Sequence, residues 1–176
     1  HQVFRVFAPD PEVLAFGVPA GLGTYAQPDR RLDALLAAAL VSIPSVKAAE
    51  IGDGVAVAGR DGQSAHDELF PDKRGGVRRE TNRAGGLEGG VTNGEPVRVR
   101  AYAKPISTQR KGLRSVDLRT GKPRRGSWVR SDTCVVPAAG VVAEAVVAWE
   151  LAAELVRYLG ECPLDELLAR FKRIKA

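Results

Sequence analysis

The chain has 176 residues, of which 44% are hydrophobic and 27% charged, and a formal charge of +5. That is enough for one domain with a sizeable core, and no apolar run approaches the ~18 residues of a membrane span. Two cysteines, Cys134 and Cys162, do not make a disulfide framework and no signal-peptide pattern opens the chain, so a reducing cytoplasm is the expected setting.

In chain order, residues 13–17 read as a short strand running into a turn-rich loop. A helix is predicted from Asp29 to Ile43, with Leu32, Leu35, Leu36, Ala39 and Leu40 at helical spacing and Pro44 as its stop. Val46–Ile51 and Val55–Ala58 are predicted strands around a Gly52-Asp53-Gly54 turn. Residues 59–80 are polar and charged and read as a long mobile surface loop. His66 in this loop is expected to be solvated, and His66-Asp67-Glu68 has no second ligand cluster to complete a metal site.

The organising stretch is 81–108, TNRAGGLEGGVTNGEPVRVRAYAKPIST. Glycines 85, 86, 89, 90 and 94 permit close approach of backbone N–H groups to a flat ring or a phosphate. Val97, Val99, Ala101 and Ala103 then alternate with Arg98, Arg100, Tyr102 and Lys104. The pattern fits a site for an anionic, partly planar ligand, and equally a glycine-rich hairpin with a solvated basic face.

Residues 113–118 are a predicted strand, followed by a turn at Thr120-Gly121-Lys122-Pro123. Arg130-Ser131-Asp132 then precedes a helix opened by Pro137 and closed by Gly160. Its first turns are apolar almost all round, which predicts burial on more than one side; Glu150, Glu154 and Arg157 are expected to face outward. Cys134 reads as a small buried packing residue, and a last helix runs from Pro163 to about Ile174. Together these elements predict an α+β fold, antiparallel sheet against helices. If 130–132 is extended, Arg130 and Asp132 share a face and orient each other.

The blocks IPSVKAAEIGDG, TNRAGGLEGGVTNG, KPIST and RSDTCVVPAAGVVAE, in this order between Gly17 and Trp149, resemble the C-terminal half of chorismate synthase. Residues 1–11 match nothing in that family, and a first residue other than methionine suggests a processed product or a segment of a longer chain. The resemblance implies a β-α-β sandwich in which the whole chain, 1–176, is the C-terminal half of a chorismate-synthase-like domain. This half would supply one antiparallel sheet and part of a buried helical layer. The implied reaction is the anti-1,4-elimination of phosphate from 5-enolpyruvylshikimate-3-phosphate to give chorismate. It is the last common step of the shikimate pathway and of aromatic amino-acid biosynthesis, catalysed by a lyase. The implied cofactor is reduced FMN, with NADPH as reductant where the enzyme reduces its own flavin, and the implied assembly is a homotetramer.

Residue by residue, the resemblance makes Pro44, Ser45, Gly89, Lys104, Pro105, Ile106, Ser107, Thr108 and Arg130 contacts of the flavin. Asp132 and Arg130 become the catalytic pair. Two family histidines and several substrate-binding arginines belong to the missing N-terminal half; His1 and His66 match neither histidine. The chain then holds part of an active site and is expected to be inactive alone. The competing expectation is a non-enzymatic basic module that binds anions or nucleic acid. Aromatics at 6%, not interleaved with the cations, disfavour nucleic acid as a partner. No membrane partner is expected.

Overall fold

The chain forms β1 (Glu12–Ala15), α1 (Leu32–Val41), β2 (Val46–Ile51), α2 (Val55–Ala58), α3 (Gly62–Ala65), β3 (Leu69–Pro71) and β4 (Val77–Arg79). It continues with β5 (Leu87–Glu88), β6 (Val91–Thr92), β7 (Val97–Ala103), β8 (Arg114–Val116), β9 (Pro123–Arg125), α4 (Val136–Leu159) and α5 (Leu164–Ile174). The structure, a computed structural model, describes residues 11–72, 76–105, 112–127, 129–130 and 134–174.

The alternating strand β7 is the centre of an antiparallel sheet in the order β1-β7-β2. Its apolar face carries Val97, Val99 and Ala101, at most 1% exposed, beside Val13 and Ala15 of β1. Against this face lie Leu32, Leu36 and Leu40, each 0% exposed, a stripe of period four on α1, with Ala143 and Val147 of α4. Full burial of each such leucine is worth roughly 1.5–3 kcal/mol, so the sheet and two helices share one core. The fold is α+β, antiparallel sheet against helices, as the sequence predicts.

Several expectations are corrected. The first helix starts at Leu32 rather than Asp29, because residues 28–30 form a turn and the Leu32 N–H donates to the Gly90 carbonyl at 3.0 Å. Val55–Ala58 is a helical turn, not a strand: the Glu50 carboxylate accepts the Val55 N–H at 2.7 Å and captures an orphan donor at its start. The 59–80 segment is not one long loop. It contains α3, capped by the Asp61 carboxylate accepting the Ser64 N–H at 2.8 Å, and the β3–β4 hairpin.

On α4 only one stripe is buried, so the expected burial on two sides is absent here: Val141 is 67% and Trp149 73% exposed. Glu154 points inward, 5% exposed, its carboxylate accepting from Arg157 at 2.9 Å; that pairing offsets part of the cost of burying the charge. Cys134 is exposed rather than buried, since it lies before the first turn of α4 that reaches the core.

Candidate functional site

The polar face of the central sheet is an ordered charge ladder. Register sets Arg100 opposite Glu12 on one side and Glu50 on the other. Its guanidinium donates to Glu12 at 2.8 Å and to Glu50 at 3.1 Å, and the Tyr102 hydroxyl also donates to Glu50. Burial pushes the Glu50 carboxyl up, but bonds from Tyr102, the Val55 N–H and Arg100 outweigh it and hold the group below its ordinary value. Arg98 donates to Asp53 and, at 3.1 Å, to the Asn82 carbonyl; Arg60 reaches the other Asp53 oxygen at 2.5 Å. Burial raises Asp53 as well, and the two guanidinium groups bring it below the normal range. Arg98 and Arg100 therefore form neither a solvated basic face nor a free anion site: their charge is matched by carboxylates of the same domain.

Most of the glycine run is committed to packing. Gly52 and Gly85 cross so closely that a Cβ on Gly52 would stand 2.1 Å from the Arg83 carbonyl oxygen, and one on Gly85 would stand 2.4 Å from the Gly52 nitrogen. The crossing is closed by the Asp53 N–H donating to Arg83 at 2.7 Å and the Arg98 N–H donating to Gly85 at 3.0 Å. Asp67 ties down the same turn, accepting from the Arg83 and Ala84 N–H groups at 2.8 and 2.9 Å. Gly89 differs. It is exposed at the β5–β6 turn with φ +60°, and nothing lies within 4 Å of where its Cβ would be.

Two of the sequence-predicted segments meet. The Lys104 N–H donates to the Ser45 carbonyl at 2.8 Å, which sets Pro44, Ser45, Lys104 and Pro105 at one end of the sheet. Ser45 has φ +76°, a left-handed conformation costly for a non-glycine residue and often found at binding sites. Lys104 is exposed, and among the described residues no carboxylate pairs with it. Gly89 is not brought to this corner. Its neighbour Gly90 caps the start of α1 whereas Pro44 follows its end, and a ten-residue helix is about 15 Å long. Arg130 is exposed ahead of α4; Ile106, Ser107, Thr108 and Asp132 lie outside the described residues.

A polar concavity of about 370 Å³, lined by Asp53, Thr81, Asn82, Arg83 and Arg98, was not foreseen from the sequence. The only signal for it was the polar TNR triplet ahead of the glycines. Among the described residues no cluster of His, Cys, Asp or Glu can hold a metal ion, and no helix is long and apolar enough to cross a membrane.

A family model described as chorismate synthase matches residues 11–156. The chain is 57% identical over 149 residues to a chorismate synthase of Salinispora tropica, covering 85% of this chain and 38% of that protein. It is 54% identical over 149 residues to one from Paenarthrobacter aurescens, covering 85% of this chain and 37% of that protein. Among solved structures, a crystal structure of chorismate synthase superposes with a TM-score of 0.76 at 38% identity, covering 93% of this chain and 42% of that one. The chain thus spans roughly two-fifths of the length of the relatives it matches, 37% and 38% of the two curated proteins above.

Proposed function

The chain belongs to the chorismate synthase family, and on that premise we propose that it is the C-terminal half of an enzyme forming chorismate from 5-enolpyruvylshikimate-3-phosphate. The reaction is an FMN-dependent anti-1,4-elimination of phosphate, and the complete protein is a cytoplasmic homotetramer. The match of the family model over residues 11–156 is the observation that carries this reading. The competing anion-binding module finds no support on the polar face of the central sheet, because the arginines there are already neutralised by Glu12, Glu50 and Asp53.

The residues present suit a flavin phosphate. Lys104 offers an exposed ammonium without a described carboxylate partner, and Gly89 leaves open space where a flat ring can approach the backbone. Lys104 and the hydroxyls of Ser107 and Thr108 would hold the cofactor, with Pro44, Ser45, Pro105 and Ile106 shaping its surroundings; Gly89, a helix length away at the other end of α1, would face a different part of the bound molecule. When bound, reduced FMN supplies electron density as the substrate C–O bond breaks. Arg130 offsets the charge of substrate phosphate and carboxylate, as a planar guanidinium does better than an ammonium. Asp132 orients Arg130 and relays the ring proton.

The test is complementation. The chain alone should form no chorismate with reduced FMN and substrate under anaerobic conditions; joined to an N-terminal half from a relative, it should. In the complete protein, Asp132→Asn should lower kcat by roughly 10²–10⁴ with substrate and FMN affinity within a few-fold. Turnover by the isolated chain, or normal kcat in the variant, would refute the assignment of roles.

A further inference from the structure

The β8–β9 hairpin stands apart from the core: every residue of both strands is exposed. It carries Arg114, Arg119, Lys122, Arg124 and Arg125, and among the described residues none of the five forms an ion pair. Its one acid, Asp117, is committed to the turn, accepting the Arg119 and Thr120 N–H groups at 2.9 and 3.0 Å. The register sets Arg114 directly across from Arg125, so two guanidinium groups share one face of the ribbon. Like charges in that relation destabilise a strand pair, and a two-stranded ribbon is marginal to begin with. The repulsion becomes attraction when an anion bridges the pair, since two guanidinium forks can each grip one phosphate or carboxylate. Arg125 also borders a concavity of about 390 Å³ whose lining includes Ser115, Val116, Leu118, Arg124 and the turn carboxylate Asp117, with Arg114 outside it.

We propose that the β8–β9 hairpin is an anion-capture arm, in which Arg114 and Arg125 with the adjoining concavity bind a small phosphomonoester that also carries a carboxylate. The position of the arm gives capture a purpose. Its base is closed where the Gly126 N–H donates to the Leu113 carbonyl at 2.9 Å, with Lys104 and Pro105 upstream and Arg130 downstream. Arg130 is four residues past Gly126, at most about 14 Å of extended chain. An anion held at the base of the arm therefore stays within reach of the segment that carries Arg130, and a basic surface beside a site raises local substrate concentration and on-rate. The identity of the captured molecule as the enzyme's own substrate rests on the function proposed above; the anion capture itself does not.

Two measurements test it separately. First, phosphoenolpyruvate is titrated calorimetrically into the 176-residue chain at low and at physiological salt. The wild type should bind with salt-sensitive affinity, and Arg114→Gln/Arg125→Gln should lose at least about tenfold, since two charge-assisted bonds are removed. Arg173→Gln, far along the chain in α5, should bind as wild type. All these positions are exposed, so an unchanged circular dichroism spectrum accompanies the comparison. Equal affinity in the wild type and the double variant overturns the proposal. So does binding of poly(U) RNA with steep salt dependence where phosphoenolpyruvate does not bind. Second, in the complete enzyme the double variant should lower kcat/KM at low salt by about tenfold with kcat and FMN affinity unchanged, the pattern of lost capture. A fall in kcat instead overturns the capture role. A complete protein that makes no chorismate sinks the function proposed above, while loss of phosphoenolpyruvate binding in the double variant still upholds the arm.

Discussion

Gly52 and Gly89 show how one residue type serves two ends. A methyl group on Gly52 would meet a carbonyl oxygen at 2.1 Å, in a left-handed backbone that already disfavours side chains. Gly52→Ala should therefore remove more than about 4 kcal/mol of stability, beyond what most single substitutions do. Gly89→Ala meets open space and carries only the conformational cost, about 1–2 kcal/mol. Urea denaturation distinguishes them; equal losses would mean that the crossing at Gly52 and Gly85 does not hold the loop. The carboxylates behind that crossing give a second expectation. Asp53, Asp67 and Glu50 all have lowered folded-state values against ordinary ones of 3.8, 3.8 and 4.5. A depressed carboxylate contributes stability that is present above its unfolded value and lost as pH falls through the folded one. The urea midpoint should therefore hold steady above about pH 5 and drop progressively below it, because the unfolded chain then binds more protons. Asp67→Asn should flatten that drop, and an unchanged acid slope in the variant would remove Asp67 from the account. From the sequence, Asp53, Asp67 and Glu50 were only parts of a turn, a polar loop and a strand. Their partners lie up to 52 residues away, beyond any local pattern.

At the scale of elements, regular periodicity was legible and local capping was not. The stripe of α1 and the alternation of β7 repeat often enough for burial to follow from spacing, and β2, α4 and α5 were legible likewise. Val55–Ala58 has a β-rich composition, yet one carboxylate from the preceding strand turns it into a helix. The β3–β4 hairpin has three residues a side, too few to show a period. Of the candidate site, the residue pattern marked the lysine motif, and only the family resemblance marked the proline-serine pair. Their meeting through the Lys104–Ser45 bond depends on the register of β2 and β7, which no local pattern encodes. The two faces of the helical layer should respond differently to truncation. Leu36→Ala, at a site 0% exposed, should cost about 2–5 kcal/mol. Val141→Ala, at a site 67% exposed, should fall within about 0.5 kcal/mol. A large loss at Val141 in the isolated chain would mean that α4 is already covered there.

At the scale of the molecule, that uncovered side of α4 has a consequence for association. Val141, Ala145 and Trp149 recur every four residues on one face, with Val142 adjoining, and Trp149 is 73% exposed. A large exposed apolar stripe on a monomer marks an interaction surface or an aggregation hazard. Here it matches the expectation that the helical layer packs between two sheets, of which this chain supplies one. The isolated chain should therefore self-associate, and Val141→Glu/Trp149→Glu should weaken that association by about tenfold or more, equivalent to ~1.4 kcal/mol. Both side chains point away from the core, so the double variant should keep its circular dichroism spectrum. Adding the N-terminal half should suppress self-association of the wild type by covering the same stripe, and the double variant should fail to bind that half. Sedimentation velocity over a range of concentrations reads both effects. A wild-type chain that stays monomeric throughout, or a double variant that still joins the N-terminal half, would show that this face of α4 is not where the second sheet packs.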